Sequence, residues 1–176
     1  MMRSKALSGS GSRATAPMCE RRWGGKECGP NPTDRAKPGL KDHLLVDGRG
    51  VPLSMVVTAA NVNDGPTLPT LLAGVVVERP RATLEAVQHL CLDAAYDNAP
   101  AHETVQTQQY QGHIAPRAGR AAELPRHPSG QARRWVAERT HAWHDRFRRL
   151  VVNWEKLTEN RYAFLCLANA LMAYRA

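Results

Sequence analysis

Apolar residues along this chain fall into short runs, and the spacing within each run predicts its element. Residues 1–40 are rich in Gly, Ser, Pro and Arg and show almost no apolar periodicity, so they read as a loop or arm. Order begins at His43-Leu44-Leu45-Val46. A second apolar run, Val51 to Val57, follows across Asp47-Gly48-Arg49-Gly50, and two such runs around a Gly-containing turn predict a β-hairpin. Asn61 to Pro66 is a polar turn. Leu68, Leu71, Leu72 and Val75 then recur at helical spacing within Thr67–Val77, and a surface link through Arg79, Pro80 and Arg81 comes next. Val87 to Leu92 reads as an apolar strand running directly into Asp93. Pro100 to Gln109 is a predicted helix, capped by Asn98 with Pro100 at an early position. A short strand at His113–Ala115 precedes a basic loop, Pro116–Gly130. The longest predicted helix covers about Ala132 to Trp154, with a stripe of Val136, Thr140, Trp143, Phe147, Leu150 and Trp154; Arg134, Glu138, His141 and Asp145 lie opposite. Tyr162 to Tyr174 is almost wholly apolar and reads as a buried terminal helix. No internal repeat is visible. The order of elements predicts an α/β fold with a mixed sheet, antiparallel part first.

Charge narrows the partners. The chain carries 24 Lys and Arg against 16 Asp and Glu, a formal charge of +8. Each Lys or Arg set against a phosphate releases condensed counterions, so this excess favours a polyanion. It is concentrated: nine Arg lie between Arg117 and Arg149, against the acids Glu123, Glu138 and Asp145. Arg suits bidentate phosphate contact. At 176 residues one compact domain can form without staples. Cys91 and Cys166 sit inside apolar runs and read as small core residues. Cys19, Cys28 and His43 could form a structural zinc site only if brought together, because no CxxC pairing supports one. No signal-peptide core is present, and the longest apolar stretch, Leu71 to Val77, is far shorter than the ~20 residues of a membrane span, so a soluble cytoplasmic protein is expected.

Two acids occupy positions that chemistry favours. Asp93 closes a strand, where α/β sheets present ligand-binding groups. Glu138 lies one turn after Arg134, and 44 residues separate it from Asp93. Carboxylates from a strand end and a helix can share divalent metal for phosphodiester cleavage. The plainer alternative is a turn-capping Asp and a solvated Glu.

Four segments in order add a family likeness: Gly29-Pro30-Asn31-Pro32-Thr33-Asp34-Arg35 with His43 to Leu53; Thr58-Ala59-Ala60-Asn61-Val62-Asn63-Asp64; Leu92-Asp93-Ala94-Ala95-Tyr96-Asp97; and Arg134-Trp135-Val136-Ala137-Glu138-Arg139-Thr140, running on to Trp143 and Arg146-Phe147-Arg148-Arg149-Leu150. Together they resemble the DDE transposases of bacterial insertion sequences, in the insertion-sequence-five family. The resemblance implies an RNase H-like mixed sheet with flanking helices and a metal-dependent DNA cleavage and strand-transfer reaction. It implies Asp93 and Glu138 as catalytic residues and ligands of Mg²⁺ (or Mn²⁺). DNA, as element ends and target, is the implied partner, in a homo-oligomer near the bacterial nucleoid. Arg133, Arg134, Arg139, Arg146, Arg148 and Arg149 are the candidate phosphate contacts.

The likeness breaks at the first acid of the triad. Family members carry an Asp-Gly-Ser stretch there; this chain has Ser8-Gly9-Ser10, with Arg13-Ala14 after it and no acidic residue in 1–7. A neutral hydroxyl cannot replace an ionised carboxylate bridging two metals. Ala94 stands where the family usually has Lys or Arg, and no helical end-recognition region is present ahead of the catalytic part. The expectation is therefore a degenerate arm over 1–28 and a catalytic-type domain over 29–176, transposase-derived and impaired in catalysis. The alternative is a non-catalytic DNA-binding remnant of a decayed mobile element. Asp145, Asp34 and Asp47 are fallback acids. His141 and His144 read as solvated or phosphate-adjacent, and Trp135 and Trp154 as packing residues.

Overall fold

Apolar runs that are continuous rather than alternating need cover on both faces of their strands. The computed structural model describes residues 7–10, 27–32, 35–79, 83, 87–114 and 134–176. Its six-stranded sheet comprises β1 (Leu7–Ser10), β2 (Gly29–Pro30), β3 (Pro38–Asp47), β4 (Pro52–Ala59), β5 (His89–Leu92) and β6 (Gln111–Ile114). β3 pairs antiparallel with β4 along one edge and with β1 along the other; β5 and β6 continue from β1 in parallel. The chain is therefore a mixed α/β fold with its antiparallel strands first. The helices are α1 (Leu68–Ala73), α2 (Ala99–Thr107), α3 (Arg134–His144), α4 (Arg148–Val151) and α5 (Thr158–Arg175).

Alternation along the strands feeds two cores. Leu45, Leu90, Leu92 and Ile114 pack on one face with Leu68, Leu71 and Leu72 of α1 and Ala101 and Val105 of α2. Leu44, Val46 and Met55 pack on the other with Val136 and Ala137 of α3, Leu150 of α4, and Leu165 and Ala168 of α5. Leu53 and Met55 are two apart yet lie in different cores. The cause is a β-bulge: Val46 pairs with Pro52 and Leu45 with Ser54, which leaves Leu53 as the extra residue.

Several expectations are met and several are corrected. Asn98 caps α2, its Oδ1 accepting from Ala101 N–H at 3.0 Å. The first helix is shorter than its periodicity, with a 3₁₀ turn at Gly65–Thr67 before α1. Residues 7–10, expected in an arm, form a strand between β3 and β5. The single helix expected over 132–154 is broken. α3 ends at His144, Arg146 and Phe147 close tight turns onto Trp143 and His144, and Phe147 is extended at φ −86°, ψ 98°. That turn redirects the chain so that Leu150 is buried against the α5 core while Trp154 is exposed. The terminal helix also differs: α5 buries one stripe, Arg161, Leu165, Ala168 and Met172, half-buries Thr158 and Asn169, and exposes the rest, Cys166 included. The basic loop at 116–130, Cys19, Asp34 and Arg133 lie outside the described residues. Among the described residues no helix is long and apolar enough to cross a membrane.

Candidate active site

Asp93 follows β5 in an extended conformation, and its carboxylate accepts from Ala94 N–H at 2.7 Å to cap the 3₁₀ turn Ala94–Tyr96. Turn capping and a place at a strand end are thus combined in one half-buried side chain. The strand beside it is β1, where Leu7 pairs with Leu90 and Ser8 with Cys91. Ser8 also pairs with Val46 across the other edge of β1. Position 8 therefore lies in the sheet interior, on the strand next to the one that ends in Asp93.

Glu138 comes from the other layer. α3 packs against β1 and β3, burying Val136, Ala137 and Thr140 and leaving Glu138 exposed. β1 is thus the common neighbour of Asp93's strand and Glu138's helix. α3 is fixed by the hairpin turn. Thr140 Oγ1 donates to Gly50 C=O at 2.8 Å, and Arg139 Nη2 donates to Arg49 C=O. Gly50 has φ +88°, and a Cβ there would stand 3.0 Å from both Arg139 Nη2 and Thr140 Oγ1. Only glycine meets both the backbone and the space requirement.

The six candidate phosphate contacts separate. Arg139 is held between the Trp135 and Trp143 rings, its Cζ 4.8 and 4.9 Å from their centroids, and serves the hairpin turn. Arg149 pairs with Glu155 and lies 5.0 Å over the Phe164 ring. Arg146 and Arg148 are exposed. Arg134 opens α3.

The other acids have local duties. Asp47 Oδ1 accepts from the Arg49 and Val51 N–H groups, which closes the hairpin turn. Asp145 is exposed in the turn after α3. Asp64, read from sequence only as part of a polar turn, is buried and pairs with Lys41 Nζ at 3.0 Å. His43 joins it, with Nε2 2.9 Å from Thr58 Oγ1 and Nδ1 3.4 Å from Thr67 Oγ1. Burial pulls the His43 imidazole down to about 4, helped by Lys41 and opposed by the Asp64 and Asp42 carboxylates. Both ring nitrogens of His43 thus face threonine hydroxyls, and Cys19 of the conceivable zinc site lies outside the described residues. Tyr96 is fully buried, and burial pushes its phenol up, with the Asp64 and Asp93 charges adding to the effect. The alternating strand pattern could have located Lys41 and His43, but their pairing with Asp64 crosses more than twenty residues.

His144 is not solvated, and His141 is half-buried. His144 is buried, 2.7 Å from Asn169 Oδ1 through Nε2, and burial lowers both imidazoles. Trp135 and Trp154 are half exposed or more, so neither is a core residue. Among the described residues, no group of three or more His, Cys, Asp or Glu side chains is placed to hold a metal ion.

Comparison with known proteins follows the same lines. The profile of the transposase DDE domain family matches residues 13–173. The chain is also similar, at 37% identity over 164 residues, to "Putative transposase for insertion sequence element IS402" of Burkholderia cepacia, covering 88% of this chain and 72% of that protein. No solved structure matches significantly.

Proposed function

The chain belongs to the transposase DDE domain family, and from that premise we propose that it is a transposase-derived DNA-binding domain of RNase H-like fold that no longer cuts DNA. The observation that carries this reading is the place of Ser8. Its strand lies between β3 and β5, beside the strand ending in Asp93, and α3 with Glu138 packs against it. A carboxylate at position 8 would be the third member of a triad with Asp93 and Glu138. The hydroxyl supplies neither the charge nor the bridging oxygens that a pair of Mg²⁺ ions requires. Two carboxylates alone do not fit that metal pair.

What remains is electrostatic. Arg146, in the turn after α3, and Arg148, at the start of α4, are exposed on a chain of charge +8, and they are the residues best placed to meet phosphate. The domain division follows the same logic: 29–176 holds the Asp93 and Glu138 elements, and β1 is contributed from the segment before it.

The test is a cleavage assay with the chain as it exists, on duplex carrying the ends of its element, in Mg²⁺ and in Mn²⁺. No cleavage is expected. Cleavage that is lost in Asp93→Ala would refute the reading and show that another acid completes the site. Binding to the same duplex, weakening steeply with salt, is the expected positive result.

A further inference from the structure

Two histidines from adjacent strands meet outside both cores. β5 and β6 pair in parallel, with His89 opposite Gln111 and Cys91 opposite His113. The Gln111 N–H donates to the Gln88 carbonyl at 2.8 Å, which fixes the start of that register. Alternation then sets the faces. Leu90, Leu92 and Ile114 enter the core beneath α1 and α2, and a Cβ at Gly112 would stand 2.9 Å from Val105 of α2. His89, Cys91 and His113 therefore point to the opposite side of the sheet. His113 is the diagonal neighbour of His89 there, and His89 Nδ1 lies 2.9 Å from His113 Nε2.

The contact runs nitrogen to nitrogen. The 2.9 Å and two ring radii nearly fill the 5.1 Å between the ring centroids, and the ring planes are 29° apart. One proton lies between the two nitrogens, so one ring donates and the other accepts. When the donor carries its proton on its far nitrogen instead, two lone pairs converge on one point, and neutral imidazole is a good metal ligand. Two nitrogens on one tetrahedral Zn²⁺ stand about 3.3 Å apart, so the rings need to part by only about 0.4 Å to admit the ion. Both rings are half-buried, which leaves water access to complete a coordination shell. The next side chain on that face of β5 is the buried thiol of Cys91, so the donors at hand are nitrogen and sulfur. Such donors suit Zn²⁺ and its neighbours in the first transition row, whereas Mg²⁺ takes oxygen.

We propose that His89 and His113 form a binding site for a divalent transition-metal ion such as Zn²⁺, with His89 Nδ1 and His113 Nε2 as the protein ligands. The site is separate from the acids: His89 lies four residues before Asp93, ~13 Å along an extended strand. It is independent of the proposed function, because Mg²⁺ chemistry at Asp93 and Glu138 neither requires nor competes for imidazole. The ligands come from two strands and converge only in the folded chain, so the ion ties β5 to β6 and stabilises that state.

The experiment titrates Zn²⁺ alone into the full chain, first stripped with a chelator and then freed of it, in excess Mg²⁺. One Zn²⁺ should bind per chain, and saturation should raise the thermal unfolding midpoint. His89→Gln and His113→Gln should each lose saturable binding, while His102→Gln, on the exposed face of α2, should retain it. Imidazole ¹⁵N spectra of the native chain supply a readout that does not depend on how the variants fold. Zn²⁺ should shift His89 Nδ1 and His113 Nε2 and leave His43 and His144 in place. A native chain that shows no saturable Zn²⁺ binding overturns the proposal, as does binding that survives both Gln substitutions. Zn²⁺ shifts confined to other imidazoles, or binding lost in Asp93→Ala and kept in His89→Gln, would place the ion elsewhere and overturn it equally.

Discussion

Arg161 offers a sharp test of how α5 is held. Its guanidinium is buried, with Nη2 2.6 Å from Asp42 Oδ2, Nε 3.5 Å from Asp42 Oδ1 and Nη1 3.2 Å from the Leu150 carbonyl. One side chain thus joins β3, α4 and α5. Arg161→Met removes the cation and leaves the Asp42 carboxylate buried without its partner, at 9% exposure. Breaking such a pair from one side costs about 3–5 kcal/mol, and the orphaned Leu150 carbonyl adds about 1 kcal/mol. A domain of this size holds roughly 5–15 kcal/mol in total, so the single variant should sit at the edge of folding. Asp42→Leu/Arg161→Met removes both charges, and the desolvation cost of the pair goes with them. Replacing a buried pair by apolar residues is commonly neutral or better, so the double variant should recover most of the loss. The assay is urea unfolding of the native chain, both single variants and the double variant, read as a double-mutant cycle. A single-variant loss under about 1 kcal/mol would refute the reasoning, since that is the scale of an exposed pair. Additive losses in the double variant would refute it equally.

Three further outcomes follow from named contacts. Gly50→Ala should cost about 1–2 kcal/mol, measured by urea midpoint, because φ is +88° and the new methyl meets Thr140 and Arg139; an unchanged midpoint would mean that α3 is not fixed to the turn. His43 is held at about 4, below its ordinary 6.5, so between those values the unfolded chain takes up a proton that the folded chain refuses. Stability should be full above pH 6.5 and fall toward pH 4 by up to about 3 kcal/mol from this residue, with the lowered His144 acting in the same direction; a His43→Gln chain with the same pH slope would count against it. Arg146→Glu/Arg148→Glu should weaken duplex binding and lower the salt slope by about one for each phosphate no longer neutralised, without changing the urea midpoint; an unchanged slope would place the phosphate-binding residues elsewhere.

The local chemistry of this chain is written in its sequence because local physics decides it. The hairpin around Asp47–Gly50 follows from two apolar runs and a turn that only glycine can close. Asp93 at a strand end, Asn98 as a cap and the amphipathic start of α3 follow from spacing alone. The family likeness rests on the same segments, and the match to the transposase DDE domain family over 13–173 bears it out.

Other features depend on residues distant in sequence. Ser-Gly-Ser at 8–10 has no strand propensity to announce it; its strand is made by tertiary pairing, with β3 on one side and β5 on the other. The family likeness made Arg139 a candidate phosphate contact from its place beside Glu138; its Nη2 bond to the Arg49 carbonyl, 90 residues away, is a tertiary contact that no local pattern announces. The 132–154 stripe keeps helical spacing through Phe147, but burying Leu150 against α5 is worth more than continuing the helix. The 162–174 run is apolar all round, so composition predicts a buried helix. A helix in an outer layer of the fold has only one face to bury, and the position of α5 against β4 chooses the Arg161 stripe and leaves the Leu167 stripe exposed.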